Sequence, residues 1–130
     1  MLSINTTQRY FIYSGLTDMR KGFDSLSGLV REAFKMDPLS GDVFIFLSRT
    51  KNKIKLLQFQ GDGFAVYYKR LEKGTFEVPK FNSSSTVLLS SQQLLLIMEG
   101  IQLSSVKKRP RYEHHFVSKI AMNASVAARC

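Results

Sequence analysis

A chain of 130 residues, 44% of them apolar, suits one compact domain with a core of its own. Its single cysteine is the last residue, Cys130, which excludes an intrachain disulfide framework or cysteine metal centre and fits a reducing cytoplasm. Nineteen Lys and Arg against ten Asp and Glu give a formal charge of +9, and with no apolar run of membrane-spanning length the chain has no expected bilayer segment.

The charge is unevenly spread. Residues 1–48 balance, 49–80 carry a net +5, 81–103 a net −1 and 104–130 a net +5. Clustered positive charge attracts polyanions by steering and counterion release. The N-terminal "MLSINTTQRYF" lacks a basic segment leading into an apolar one, so no signal peptide is expected.

"RYFIYSG" (Arg9–Gly15) is rich in β-branched and aromatic residues and reads as a strand ending at glycine. Thr17 then offers an N-cap hydroxyl, and Asp18 suits the positive end of a helix. Apolar Met19, Phe23, Leu26, Val30 and Ala33/Phe34 recur at helical spacing, with Arg20, Asp24, Ser27, Arg31 and Lys35 on the opposite face. "MDPLSGD" (Met36–Asp42) ends that helix in a loop. "VFIFLS" (Val43–Ser48) is a short apolar run, hence a central strand. "KIKLLQFQ" (Lys53–Gln60), "GDG" and "FAVYYKRL" (Phe64–Leu71) read as a hairpin. "TFEVP" begins a short edge element stopped by Pro79, and "TVLL" (Thr86–Leu89) is a short strand. Ser90 and Gln93 form a capping-box signature for a second helix, with Leu94, Leu95, Ile97, Met98 and Ile101 as its apolar side and Gly100 as its stop.

The expected fold is therefore α+β: one domain over residues 1–103, with an antiparallel or mixed sheet of four to five strands and two main helices. Residues 104–130 form a basic tail, helical or disordered.

The chemistry-bearing residues are few. On one continuous helix Asp18 and Asp24 would lie roughly 240° apart, too far round to act as a carboxylate pair. Arg20 and Asp24 have the spacing of a surface ion pair. His114 and His115 are adjacent in the tail, unlike the spaced ligands of a zinc site. No nucleophile or phosphate-loop motif is present, so no catalytic residue, metal ligand or cofactor is expected. The basic hairpin is more informative. Alternation puts Lys51, Lys53, Lys55, Leu57 and Phe59 on one face, with Tyr67, Tyr68, Lys69 and Arg70 on the partner strand. Basic residues interleaved with aromatics suit a nucleic-acid backbone; the same lysines also serve a solvated face that blocks edge pairing.

Four ordered blocks, "GLTDMRKGFDSLSGLV", "DPLSGDVFIF", "KIKLLQFQGDGFAVYYKRLEKGTF" and "LSSQQLLLIMEGI", resemble the accessory protein (TnpB, or second-frame protein) of bacterial insertion sequences of family sixty-six. The matching motif comprises Asp18, Met19, Arg20, Lys21, Phe23 and Asp24, then Gly61 and Gly63, then Lys69, Arg70, Leu71 and Glu72. Where the family often has a tryptophan pair, this chain has Gln58 and Phe59. The resemblance implies a small cytoplasmic protein acting beside the element's transposase and a second small accessory protein, with catalysis left to the transposase.

Together these readings suggest an accessory protein for DNA transposition that binds DNA at the element ends, the transposase, or both. The candidate contacts are Arg20, Lys21, Lys51, Lys53, Lys55, Lys69, Arg70, Lys107, Lys108, Arg109 and Arg111. The alternative is a protein–protein scaffold without nucleic-acid contact, steered by charge to an acidic partner.

Overall fold

The elements run β1 (Tyr10–Leu16), α1 (Phe23–Leu29) continued by a π-helical turn (Val30–Phe34), β2 (Val43–Leu47), β3 (Lys53–Phe59), β4 (Phe64–Arg70), β5 (Thr86–Leu89) and α2 (Ser91–Glu99). This is a computed structural model, and it describes residues 4–78 and 86–100. The strands form one mixed sheet in the order β4-β3-β2-β1-β5. β1 and β2 are parallel, joined through α1; the other neighbouring pairs are antiparallel. The expected α+β class, mixed sheet and two main helices are all present.

The strand sequences explain the layering. All five residues of β2 are buried, because the strand is central and covered on both faces. Ile45, Leu47, Ile54 and Leu56 enter a largely aliphatic core with Leu94 and Ile97 of α2. Phe44, Phe46 and Leu57 point the other way, into a core completed by Leu26, Val30 and Phe34. Phe34 meets Phe44 and Phe46 edge-on, with ring centroids 5.2 and 5.6 Å apart. Such contacts add to the ~1.5–3 kcal/mol that burying each large apolar side chain contributes.

The second helix follows its sequence signature. The Ser90 hydroxyl accepts from Gln93 N and the Gln93 side chain accepts from Ser90 N, closing the capping box. Gly100 takes the left-handed stop at φ 80°. Leu94 and Ile97 are buried, while Leu95 is exposed; Ile101 lies outside the described residues.

The first helix differs from expectation. β1 runs on to Leu16, past Gly15, and Thr17 N donates to Leu47 O at 2.8 Å, prolonging the pairing with β2. Thr17 is therefore no cap. The helix starts at Phe23 behind Gly22, which supplies no side-chain cap. Met19 continues the apolar stripe from a loop, packing against the same core without being helical. Phe23 is half exposed, and Ser27, expected on the outer face, is buried with its hydroxyl donating to Phe23 O. The helix is stopped by Lys35 in the left-handed region at φ 57°, ahead of the expected loop.

Gly15 leaves room for a neighbouring ring. A Cβ there would come within 2.6 Å of the Tyr13 ring, which stacks on Phe34. The β1–β2 register is irregular between Ile12 and Leu16, at this same stretch.

The hairpin of β3 and β4 forms as read, closed by Gln60 N donating to Gly63 O at 2.8 Å. Residues 75–78 form no strand. Phe76 is buried in the aliphatic core instead, and its N donates to Lys51 O at 2.7 Å. That contact, with Leu71 N to Asn52 O, braces the β2–β3 turn. Pro79 and the following loop, like the 104–130 tail, lie outside the described residues.

Candidate nucleic-acid interface

The carboxyl ends of the two parallel strands open into a groove of about 510 Å³. One wall is the loop after β1, with Thr17, Asp18, Met19 and Arg20. The other is the turn after β2, with Ser48, Arg49 and Thr50. Lys53 of β3 and Tyr68 of β4 complete the lining.

The loop after β1 is fixed by one buried side chain. Lys55 is 9% exposed, and its Nζ donates to the carbonyls of Met19 and Lys21, both at 2.8 Å. The same ammonium lies 4.7 Å from the centroid of the Tyr68 ring. A charged donor shared by two carbonyls and an aromatic face is a strong tether away from water. Lys55 thus shares a face with Lys53, as alternation requires, but its charge is spent inside the protein.

Asp18 and Arg20 form a local unit. Asp18 accepts from Arg20 N at 2.9 Å and from its Nε and Nη2 at 3.1 and 2.7 Å. The Arg20 side-chain hydrogen bonds, then its backbone N–H, hold the Asp18 carboxyl down at about 2. The expected Arg20–Asp24 pair is replaced by this shorter one, because the segment is a turn closed by Lys21 N to Asp18 O, not a helix. The Nη1 donors of Arg20 are left for another acceptor.

The turn after β2 is equally ordered. Lys53 N donates to Ser48 Oγ at 3.1 Å, Ser48 Oγ lies 3.4 Å from Thr50 Oγ1, and Thr50 Oγ1 donates to Asn52 Oδ1. Lys51 closes the turn in the left-handed region at φ 59°, which ends the strand alternation before it. Arg49 and Lys53 have no ion-pair partner among the described residues. Thr17 is 5% exposed, and its Oγ1 is buried with no hydrogen-bond partner among the described residues.

Of the residues expected to contact a ligand, Arg20 and Lys53 line the groove. Lys21 is exposed, with its carbonyl held by Lys55, and Lys51 is exposed in the turn. Arg70 lies opposite Lys53 in the β3–β4 register and pairs with Glu72 at 2.9 Å. Lys69 lies opposite Ile54, on the aliphatic-core face. Lys107, Lys108, Arg109 and Arg111 lie outside the described residues, as do His114 and His115. The sequence reading missed Arg49 and the hydroxyls of Thr17, Ser48 and Thr50. They come from loops some thirty residues apart, and the signal for them is the parallel pairing of β1 with β2. Among the described residues, no group of three His, Cys, Asp or Glu side chains is placed to hold a metal ion, and no helix is long and apolar enough to cross a membrane.

Fold and groove define a small mixed-sheet protein with a basic crevice at one end of its sheet. Residues 8–108 match the family described as IS66 Orf2-like protein, and the chain belongs to that family. This is an accessory family of insertion sequences, which ties the protein to transposition in an accessory role. Two relatives come from Sinorhizobium fredii (strain NBRC 101917 / NGR234). The uncharacterized protein y4hO is 36% identical over 101 residues, covering 78% of this chain and 87% of its own length. The uncharacterized protein y4jC is 28% identical over 102 residues, covering 78% and 86%. No solved structure matches.

Proposed function

We propose that this protein is a non-catalytic accessory factor that contacts DNA phosphates during transposition, in the cytoplasm, beside the transposase and a second small protein of the same element. The convergence of Arg20, Arg49 and Lys53 on one groove is the observation that supports it most. Lys53 also faces Arg70 in the register, and Arg70 is matched by Glu72, so the unmatched charge on this strand pair is that of Lys53. Lys21 and Lys51 extend the positive surface, Lys69 lies on the other face of the sheet, and the basic tail supplies further contacts. Phosphate contacts of this kind position a protein on DNA without reading its sequence.

The test is a gel shift with DNA from the element ends across a salt series. The expected result is binding at low salt that falls steeply as salt rises. The double variant Arg49→Ala/Lys53→Ala should flatten the log–log slope by about 2, since each phosphate contact contributes roughly 0.9. Absence of binding at low salt would refute the DNA contact.

The exposed Leu16 and Phe23, either side of the Asp18–Arg20 turn, favour a second reading in which a protein partner docks here. Co-purification with the transposase that survives nuclease treatment and fails with Phe23→Ser supports that reading.

A further inference from the structure

We infer that the groove takes one unpaired nucleotide of a DNA strand, its phosphate against Arg49 and Lys53 and its base on Tyr68, so that the protein prefers single-stranded or frayed DNA over closed duplex. This rests on the DNA-contacting reading above and names the form of DNA that the site accepts.

Size comes first. A groove of about 510 Å³ is of the size that encloses a small ligand. It admits a single nucleotide, whereas a duplex keeps its bases stacked inside and presents only its backbone.

The chemistry is arranged for the parts of a nucleotide. Tyr68 is 50% exposed although it lies mid-strand on a lysine-bearing face. Lys55 beside the ring restricts its movement without closing the residue off from solvent. An aromatic side chain held in this way on a groove wall is a stacking platform, and every base has a face to stack. Lys53 stands diagonally beside the ring on β3 and Arg49 in the turn after β2. Neither has an ion-pair partner among the described residues, and Arg20 is held by Asp18 through Nε and Nη2, with no bond to its Nη1 among them.

The hydroxyls give the independent observation. The Thr50 proton goes to Asn52, so Thr50 Oγ1 receives rather than gives in its contact with Ser48. Both of those protons are committed within the turn. Of the three threonine and serine side chains that line the groove, Thr17 is the one whose hydroxyl has no partner among the described residues, and the residue is more than nine-tenths buried. A buried hydroxyl without a partner lowers stability, and Val would fill the same space without that penalty. A phosphate or sugar oxygen entering the groove supplies the missing acceptor after a small shift of the loop.

Fluorescence anisotropy with three probes of one sequence tests this: a blunt duplex, the same duplex with a short unpaired 3′ overhang, and the single strand. The overhang and the single strand should bind at least about tenfold more tightly than the blunt duplex. Tyr68→Leu should remove about tenfold of overhang affinity, and Tyr68→Phe should restore it. Thr17→Val should weaken overhang binding several-fold while Tm holds or rises, a split that a purely structural threonine does not give. Equal affinity for blunt and overhang DNA, unchanged in Tyr68→Leu, overturns this inference and leaves the broader DNA contact standing. Failure of every probe to bind at low salt overturns both. An RNA of the same sequence binding more than tenfold tighter than the DNA strand overturns the assignment to DNA.

Discussion

The two ends of the sheet use polar residues in opposite ways. At the end away from the groove, Asp42 is buried and accepts from Arg9 Nε and Nη2 at 3.0 and 2.7 Å and from Ser40 Oγ at 3.0 Å. Gln58, also buried, donates to Gly41 O at 3.2 Å. These groups answer one another, and Val43 N bonded to Arg9 O keeps the strands together beneath them. At the groove end, among the described residues, Arg49 and Lys53 have no ion partner and the Thr17 hydroxyl has no hydrogen-bond partner. A charge already matched inside the protein holds the fold, whereas unmatched charge costs the fold something and is available to a ligand. The net charge of the chain does not reveal this distinction; the arrangement of partners does.

Substitutions should separate the two ends. The largest effect is expected for Lys55→Met, which keeps the bulk but leaves the Met19 and Lys21 carbonyls without their donor. Denaturant unfolding should show a loss of about 1.5–3 kcal/mol, and DNA affinity should fall as well because the groove wall loosens. Gly15→Ala comes next: the added methyl meets the Tyr13 ring and should cost about 1–3 kcal/mol by the same measurement. Asp42→Ala should lower Tm by a smaller amount and leave DNA affinity unchanged, since it lies at the closed end. Arg49→Ala should do the reverse, staying within about 0.5 kcal/mol of the parent in stability while weakening binding. An Asp42 variant that loses DNA binding at unchanged Tm would break the comparison.

The smallest effect concerns pH. Asp18 is held at about 2, below its ordinary 3.8, so its ionised form favours the folded state. That contribution is complete above the ordinary value and is lost as the pH falls through about 2. Because the pair is exposed, salt should weaken it. Asp18→Asn should therefore be slightly less stable than the parent at neutral pH and equal to it at the acid extreme. NMR titration of the Asp18 carboxyl checks the value directly.

Much of this was legible in the sequence. The β3–β4 hairpin was readable from alternation around a glycine loop, and α2 from its capping box. Both signals are local, and local chemistry decided both. The first helix was misplaced because periodicity reports which face is buried, not whether the backbone is helical. Met19 reaches the same core as Leu26 and Val30 from a loop, so the stripe looked one turn longer than it is. Lys55 was placed on the correct face, but the loop that covers it arrives from 34 residues away. The groove was the least legible feature. Its two walls meet only because β1 and β2 are parallel, and alternating hydrophobicity does not encode strand direction.

The engagement of Lys55 gives it a reactivity of its own. An acylating reagent needs room to approach the amine, and the exposed Lys21, Lys35, Lys51 and Lys73 offer it. The buried Lys55 nitrogen does not until the loop after β1 lets go of it. Its labelling rate under native conditions therefore measures how often that loop opens, and a bound ligand bridging the groove should slow that labelling while leaving the exposed lysines to react as before.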